Sequence, residues 1–277
     1  MRVLLFLITN VAVLAMAGVS MAVLTALGVI PPNSPFVGLL VWCALFGFGG
    51  SILSLAMSKW MAKRATGAKV ITQPQTATEV WLVETVGRQA QKLGLTAPEV
   101  AIFPSRDPNA FATGMFKNSA LVAVSVGLLE KMEKNEVEAV LGHEMAHVAN
   151  GDMVTLALIQ GVVNTFVLLV ARIISSQFER GRFLIFMALQ IGLGILASTI
   201  VAWFSRRREF RADAGGADLE GAPAMAAALE RLRSIQSPGQ LPESMAAFGI
   251  RSGGVSKLFS THPPLEERIA RLRLGGR

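Results

Sequence analysis

Four long apolar runs constrain the fold of this chain more than any other feature of its sequence. They cover residues 3–30, 36–57, 153–174 and 183–204, and each is at least as long as the roughly 20 residues that cross a bilayer as a helix. A cleaved signal peptide is the alternative for the first run, but its apolar region would be shorter. With 52% hydrophobic residues, the sequence predicts an α-helical membrane protein with four transmembrane helices.

Basic residues beside these runs predict the orientation of the chain. Lys59, Lys63 and Arg64 follow the second run, and residues 206–208 are three arginines after the fourth. Because positive residues stay on the cytoplasmic side, both termini are expected in the cytoplasm. Arg172, Arg180 and Arg182, at the hairpin between the third and fourth runs, weakly oppose this orientation. The alternative for these two runs is a shallow hairpin.

The most informative motif is the stretch from His143 to His147, which has the pattern H-E-x-x-H. Histidines four apart lie on one face of a helix, so both rings can bind one metal ion. Zinc accepts two imidazoles and a carboxylate and keeps its fourth position for water. Glu144 could take a proton from that water as it attacks a carbonyl carbon. The pattern is a metalloprotease signature.

A solvated helix with two surface histidines is the alternative for so short a pattern. Two observations favour the metal site. The chain has only three histidines, and two of them are in the motif. Asn135 is a suitable N-cap, and the apolar stripe that includes Val137, Val140 and Leu141 predicts a helix over residues 135–150.

Candidates for a third ligand follow the fourth apolar run. Glu209 and Asp213 lie four apart and therefore share one helical face. Glu209 could bind the metal from a second helix, and Asp213 could hold a histidine ligand by its other ring nitrogen. The alternative is that both acids pair with the surrounding arginines. His262 could stabilise the oxyanion of a transition state, or it could be purely structural.

The polar segments predict a small α+β domain. A helix over residues 77–93 precedes short strands over 100–103, within 110–116 and over 121–125. Strands ahead of a metal helix suit a zincin-like protease domain, in which a sheet edge pairs with an extended peptide; a core strand is the alternative for 110–116. The expected order is apolar helices over 1–58, a cytoplasmic segment over 59–152, apolar helices over 153–204 and a second cytoplasmic segment over 205–277.

The charge and the cysteine content exclude other functions. The net charge is +7, and the basic residues cluster beside the apolar runs and near the C-terminus. This distribution indicates an anionic lipid surface, and not nucleic acid, as the partner. Cys43 is the only cysteine, so neither an internal disulfide nor a cysteine zinc ligand is available.

Four stretches together resemble one family. DPNAFATG (107–114), HEMAHVANGD (143–152), SRRREFRAD (205–213) and THPP (261–264) are similar to motifs of the membrane-bound HtpX heat-shock metalloproteases. Those enzymes are relatives of the prenyl-protein (CAAX) proteases. The resemblance implies a protease of the bacterial inner membrane whose active site faces the cytoplasm. Its expected substrates are misfolded membrane proteins and unfolded polypeptides.

The resemblance also implies roles for individual residues. One Zn²⁺ per chain would be bound by His143, His147 and Glu209, with Glu144 as the general base. Asp213 would support a ligand. The stretch near the substrate would comprise Asn109, Ala110, Phe111, Ala112 and Thr113.

Two other functions stay open at this point. A protease for prenylated peptides would need a large enclosed chamber in the membrane, for which four spans in one chain are few. A non-catalytic membrane scaffold with a structural zinc site would need a fourth protein ligand. It would also leave Glu144 without a purpose.

Overall fold

The computed structural model describes residues 36–235 and 262–274 and divides them into two compact units. The apolar unit comprises residues 36–53 and Ala157–Ser198, and the mixed unit comprises 54–156, 199–235 and 262–274. The first apolar run and residues 236–261 lie outside the described residues. The helices are α1 (Phe36–Thr66), α2 (Ala77–Lys92), α3 (Val126–Lys131), α4 (Lys134–Asn150), α5 (Asp152–Ser176), α6 (Arg182–Glu220), α7 (Ala222–Ile235) and α8 (Leu265–Arg273).

Three of these helices, α1, α5 and α6, are long and apolar enough to cross a membrane. They contain the predicted runs 36–57, 153–174 and 183–204. Within the apolar unit, α1 and α5 approach closely because glycine stands at the contact: a methyl group on Gly47 would overlap Thr165, and one on Gly161 would overlap Phe48. Small residues at such contacts are typical of helix packing in membranes, where apolar surface alone provides little driving force.

The mixed unit contains a four-stranded sheet in the order β1-β2-β4-β3. Strand β2 runs parallel to β4, whereas β1 and β3 are antiparallel to their neighbours, so β3 is an edge strand. The predicted strand within 110–116 ends at Thr113, because Gly114 takes a φ of +137° and a 3₁₀ turn over Lys117–Ser119 follows. The strands are β1 (Lys69–Val70), β2 (Glu99–Phe103), β3 (Ala110–Thr113) and β4 (Leu121–Ser125).

One hydrophobic core in the mixed unit holds α4 between the sheet, α2 and α7. Its fully buried members come from each of these elements, and burial of such side chains is the main stabilising term for the domain. Strand β4 is buried along its whole length, as expected for the second strand from the edge. Fully buried members of this core include Leu82 and Val86 of α2, Val122 and Val124 of β4, Leu128 of α3, Leu141 and Met145 of α4, and Met225 and Leu229 of α7.

The helix that carries the H-E-x-x-H motif is predicted correctly except at its start. It begins at Lys134, because Glu133 and Glu136 form a reciprocal capping box there, so the prediction that Asn135 is the N-cap is wrong. It ends at Gly151, whose φ of +67° is left-handed and favours glycine. Asp152 then starts α5, so almost no spacer separates the motif from the third apolar run.

Candidate active site

Three side chains from two helices converge in the mixed unit. His143 and His147 on α4 place their Nε2 atoms 3.2 Å apart. Glu209 on α6 reaches both: its carboxylate oxygens lie 3.6 Å from Nε2 of His143 and 3.4 Å from Nε2 of His147. All three residues are buried, and their ligand atoms lie within 4.8 Å of one another. The arrangement can therefore hold a metal ion.

Glu209 reaches the histidines because α4 and α6 pack closely through residues with small side chains. A Cβ on Gly216 would lie 3.0 Å from the backbone nitrogen of His143, and one on Gly215 would lie 2.6 Å from Cβ of Ala146. A Cβ on Gly142, at the same contact, would lie 3.4 Å from Cα of Gly216. Larger side chains would push the helices apart and withdraw Glu209 from the histidines.

Two further carboxylates hold the other ring nitrogens. Asp213, one turn after Glu209, lies 2.9 Å from Nδ1 of His143, and Asp152 at the start of α5 lies 2.7 Å from Nδ1 of His147. Each contact keeps the proton on Nδ1 and leaves Nε2 available for a metal. The sequence pointed to the position of Asp213 but not to that of Asp152, although Asp152 stands only five residues after His147.

The hydrogen bonds of His147 also change its pKa. Burial alone would lower the pKa, but the bonds with Asp152 and Glu209 outweigh burial and raise it to about 9. A metal ion must therefore displace a proton that these carboxylates stabilise, which couples metal binding to proton release.

A buried arginine from the last helix completes the cluster. Arg268 on α8 is 6% exposed and donates two hydrogen bonds to Asp213, at 2.8 and 2.6 Å. Its Nη1 lies 3.5 Å from Glu209. The guanidinium offsets the negative charge of two buried acids, which would be costly alone. Sequence reasoning missed Arg268; an arginine next to Ile269 on the apolar face of a short helix was the available signal.

Glu144 lies beside the histidines and does not join the triangle that they form with Glu209. It is half-buried, and the backbone N–H of Ala112 in β3 donates a hydrogen bond to it. Burial raises the pKa of Glu144 and outweighs the opposing effect of His143 and His147. A carboxylate of raised pKa next to a metal site suits proton transfer.

The edge strand β3 presents its backbone to this site. Asn109, just before the strand, is fixed by backbone hydrogen bonds: its N–H donates to Oγ of Ser125 at 2.9 Å, and its carbonyl accepts from the N–H of Ser125 at 2.8 Å. The ring of Phe111 packs instead on Phe103, on the other face of the sheet. Of the predicted substrate stretch, the structure therefore brings Ala112 to Glu144, while the Phe111 side chain points away.

His262 lies at the rim of the site. Its Nδ1 is 2.6 Å from Glu209, and 62% of its side chain is exposed. The third histidine of the chain is thus beside the candidate third ligand, although the sequence separates the two by 53 residues.

A sequence model of peptidase family M48 matches residues 76–274, which includes every residue of this site. The chain belongs to peptidase family M48. This M48 chain is 54% identical to Protease HtpX of Thioalkalivibrio sulfidiphilus, over 98% of each chain. It is 56% identical to Protease HtpX of Xanthomonas oryzae, over 98% of this chain and 97% of that one. The resemblance to the HtpX metalloproteases is thereby confirmed.

The fold comparison agrees with the family. The crystal structure of S. mikatae Ste24p matches with a TM-score of 0.64 and 18% identity, over 97% of this M48 chain and 67% of that chain. At this identity the match shows the fold alone. The family, the apolar helices and the His–His–Glu cluster together confirm the sequence prediction of a membrane metalloprotease.

Proposed function

We propose that this M48 protein is a zinc-dependent endopeptidase of the bacterial inner membrane that cleaves misfolded or damaged membrane proteins from the cytoplasmic side. The observation that carries the proposal is the triangle of His143, His147 and Glu209. Tetrahedral zinc with ligands at about 2.0–2.1 Å requires neighbouring ligand atoms roughly 3.3 Å apart. The two Nε2 atoms are 3.2 Å apart, and Glu209 lies 3.4 Å from His147 through Oε1 and 3.6 Å from His143 through Oε2, so the cluster is close to the size that one zinc ion requires.

The chemistry follows from where the side chains lie. A bound zinc ion would lower the pKa of a water molecule and polarise the substrate carbonyl. Glu144, which lies next to the proposed metal ligands, would accept the proton of that water and pass it to the leaving amine. His262, held by Glu209 at the exposed rim, would donate to the developing oxyanion from its other ring nitrogen.

The edge of β3 would bind the substrate. Within the described residues β3 pairs with β4 alone, and the N–H of Ala112 points away from β4 toward Glu144. An extended peptide beside β3 would hydrogen-bond to such outward backbone groups, with its scissile carbonyl near Glu144. Backbone pairing tolerates many sequences but requires an extended chain, which favours unfolded or misfolded substrates.

The orientation of the chain is part of the proposal. With four spans and basic residues after the second and fourth, the mixed unit and both termini would lie in the cytoplasm. Charged residues crowd the start of α4, among them Glu133, Lys134 and Glu136, and charges are costly in hydrocarbon. The site would therefore stand at the membrane surface and not within the bilayer.

Metal analysis and proteolysis of the purified protein test the proposal. In detergent, the wild type should contain about one zinc per chain and cleave unfolded casein. A chelator should abolish cleavage, and zinc should restore it. A chain that binds zinc without cleaving any unfolded polypeptide would instead favour a scaffold. Cleavage that survives complete removal of metal would refute the metal mechanism.

A further inference from the structure

The tip of the β3–β4 hairpin carries the most exposed aromatic side chain among the described residues of the mixed unit. Phe116 is 65% exposed and precedes the Lys117–Ser119 turn. Single exposed apolar residues are common on protein surfaces and need no explanation by themselves. The position of Phe116 is informative, because the tip is hydrogen-bonded to residues of the mixed unit that lie next to the ends of two apolar runs.

Two lysines make these attachments. Lys59, two residues beyond the second apolar run, donates from Nζ to the carbonyl of Ser119 at 3.0 Å. Lys117 in the turn donates to the carbonyl of Ala149, which lies four residues before the third apolar run. The hairpin tip therefore lies beside the end of the second apolar run and the start of the third.

Tryptophan–arginine pairs lie at the ends of two of the apolar runs, on helices that enter this unit. Trp60, next to Lys59, is 58% exposed, and the guanidinium of Arg64 lies 5.8 Å from its ring. Trp203, at the end of the fourth apolar run, is 43% exposed, and Arg207 lies 4.2 Å from its ring. Exposed tryptophans at the ends of apolar runs are typical of the membrane interface, and arginines one turn beyond can reach lipid headgroups.

We propose that Phe116 inserts into the interfacial region of the lipid bilayer and docks the hairpin tip on the membrane surface. The contact is apolar in character because an aromatic ring makes it, and the single carboxylate of Glu99 pairs with both Lys59 and Lys63, at 2.8 and 2.6 Å, and offsets one of their two positive charges. Docking through Phe116 should therefore depend little on salt, unlike binding through exposed basic residues.

Docking of the tip would determine the end at which a substrate first meets the edge strand β3. Thr113 is the end of β3 nearest the tip, and Ala112 beside it donates to Glu144. A polypeptide segment that leaves the bilayer would meet the strand at its Thr113 end and extend along it toward Glu144. This consequence rests on the proposed function, whereas insertion of Phe116 into lipid does not.

Lipid contact is tested by fluorescence on the full chain in vesicles. In a Cys43→Ser background, Phe116→Cys is labelled with an environment-sensitive dye, and the vesicles contain phosphatidylcholine, phosphatidylglycerol and a spin-labelled lipid quencher. Val80→Cys is the matched control: Val80 is 40% exposed and lies on α2, whose Trp81 bonds Glu138 near the opposite end of α4. We expect blue-shifted, quenched emission at position 116 alone. No quenching at 116, or equal quenching at both sites, would overturn the proposal.

Proteolysis gives an independent test. Phe116→Ser should cleave casein in detergent like the wild type, but cleave a bilayer-anchored unfolded substrate roughly three- to tenfold more slowly. Phe116→Trp should restore the rate, because tryptophan also inserts at the interface. Equal cleavage of the anchored substrate by wild type and Phe116→Ser would refute the proposal. So would equal losses on both substrates, which would indicate a role in folding or in peptide binding. If the protein cleaves nothing, the fluorescence result still decides lipid contact separately from the proposed function.

Discussion

At the scale of single residues, the site depends on which ring nitrogen each histidine offers to the metal. Asp213 and Asp152 hold the Nδ1 atoms, at 2.9 and 2.7 Å, so that both Nε2 atoms face Glu209. Removal of a proposed ligand should therefore weaken metal binding more than removal of Asp213 or Asp152, because the ligands bind the metal directly and the two acids only orient the rings.

A series of alanine variants tests this order through zinc retention. Glu209→Ala should lose the metal, and Asp152→Ala should weaken its binding by about 10- to 100-fold. Asp218→Ala is the control, since Asp218 is an exposed acid on the same helix α6. Competition with a chromogenic chelator measures the affinities. Equal zinc content in wild type and Glu209→Ala would show that the third ligand lies elsewhere.

Glu144 should affect the reaction without affecting the metal. The Glu144→Gln variant keeps the shape of the side chain but cannot accept a proton, so cleavage should fall by about 100- to 10,000-fold. Zinc content should equal that of the wild type, because Glu144 lies outside the ligand triangle. Measuring both quantities on one preparation separates the roles; a variant that loses its zinc would make Glu144 a ligand rather than a base.

The sequence predicted the residues that belong to spaced patterns and missed those that do not. His143, Glu144 and His147 fall on one helical repeat, and Asp213 follows Glu209 by one turn, so spacing alone brought them together. Asp152 lies beyond a helix break at Gly151, and its return to His147 depends on the left-handed turn there. Arg268 comes from a helix more than 50 residues away in sequence, and no local pattern links it to Asp213.

At the scale of elements, the register of the β3–β4 pair decides which backbone groups of β3 face outward. Asn109 exchanges a backbone hydrogen bond with Ser125, and antiparallel pairs alternate, so Phe111 and Thr113 bond toward β4. Ala110 and Ala112 therefore point their N–H groups outward, and the bond from Ala112 to Glu144 agrees with this alternation.

Proline substitutions distinguish the two sides of the strand. Ala110→Pro removes an outward N–H, so cleavage should fall roughly two- to tenfold, as for one lost hydrogen bond, with zinc content and melting temperature nearly unchanged. Thr113→Pro removes an N–H that points toward β4 and should lower the melting temperature. Unchanged cleavage by Ala110→Pro would show that the substrate docks somewhere else.

A polar network on α2 sets the spacing of the two ligand helices. Arg88 donates to Glu138 on α4 and to Glu220 at the end of α6, each at 3.1 Å. Gln89, which is fully buried, donates to the carbonyl of Glu138 and to Glu220, both at 2.9 Å. These contacts tie the helix of the histidines to the helix of Glu209.

Loss of Arg88 should therefore weaken metal binding more than it lowers the stability of the fold. Arg88→Ala should weaken zinc binding by about tenfold, as for other residues that support ligands. Its melting temperature should change less, because Arg88 itself is exposed and Gln89 still donates a hydrogen bond to Glu220 in the variant. Arg231→Ala is the control, since the hydrogen bond of Arg231 joins α7 to the carbonyl of Lys131 in α3 and not to α4 or α6. Equal zinc affinity in the two variants would contradict this role.

Element boundaries show where sequence patterns stop being informative. Apolar composition located the fourth run at 183–204, but α6 continues as one helix to Glu220, because nothing breaks it before Gly221 at a φ of +95°. The candidate ligand Glu209 is thus carried by the same helix as the apolar run. The chain order of the strands was predictable, whereas the parallel pairing of β2 with β4 was not, because it joins strands separated by another strand.

At the scale of the whole molecule, hydropathy predicts the spans, and charge predicts their direction. Three of the four predicted runs lie in described helices that are long and apolar enough to cross a membrane. Their orientation stays a prediction from the basic residues after the second and fourth runs. Orientation depends on the lipid and on the membrane potential, and contacts within the chain do not report either of them.

Thiol accessibility tests that orientation. Cys43 is buried, and in a Cys43→Ser background the chain has no cysteine, so a single new thiol reports its own side of the membrane. Ser176 ends α5 and is exposed, and Glu130 on α3 is exposed in the mixed unit. Because the third run should lead outward, Ser176→Cys should react with a membrane-impermeant maleimide in intact spheroplasts, whereas Glu130→Cys should react only after lysis.

Reaction at position 130 before lysis would place the metal site outside the cytoplasm. Protection at position 176 before lysis, with reaction after it, would instead favour a shallow hairpin for the last two runs.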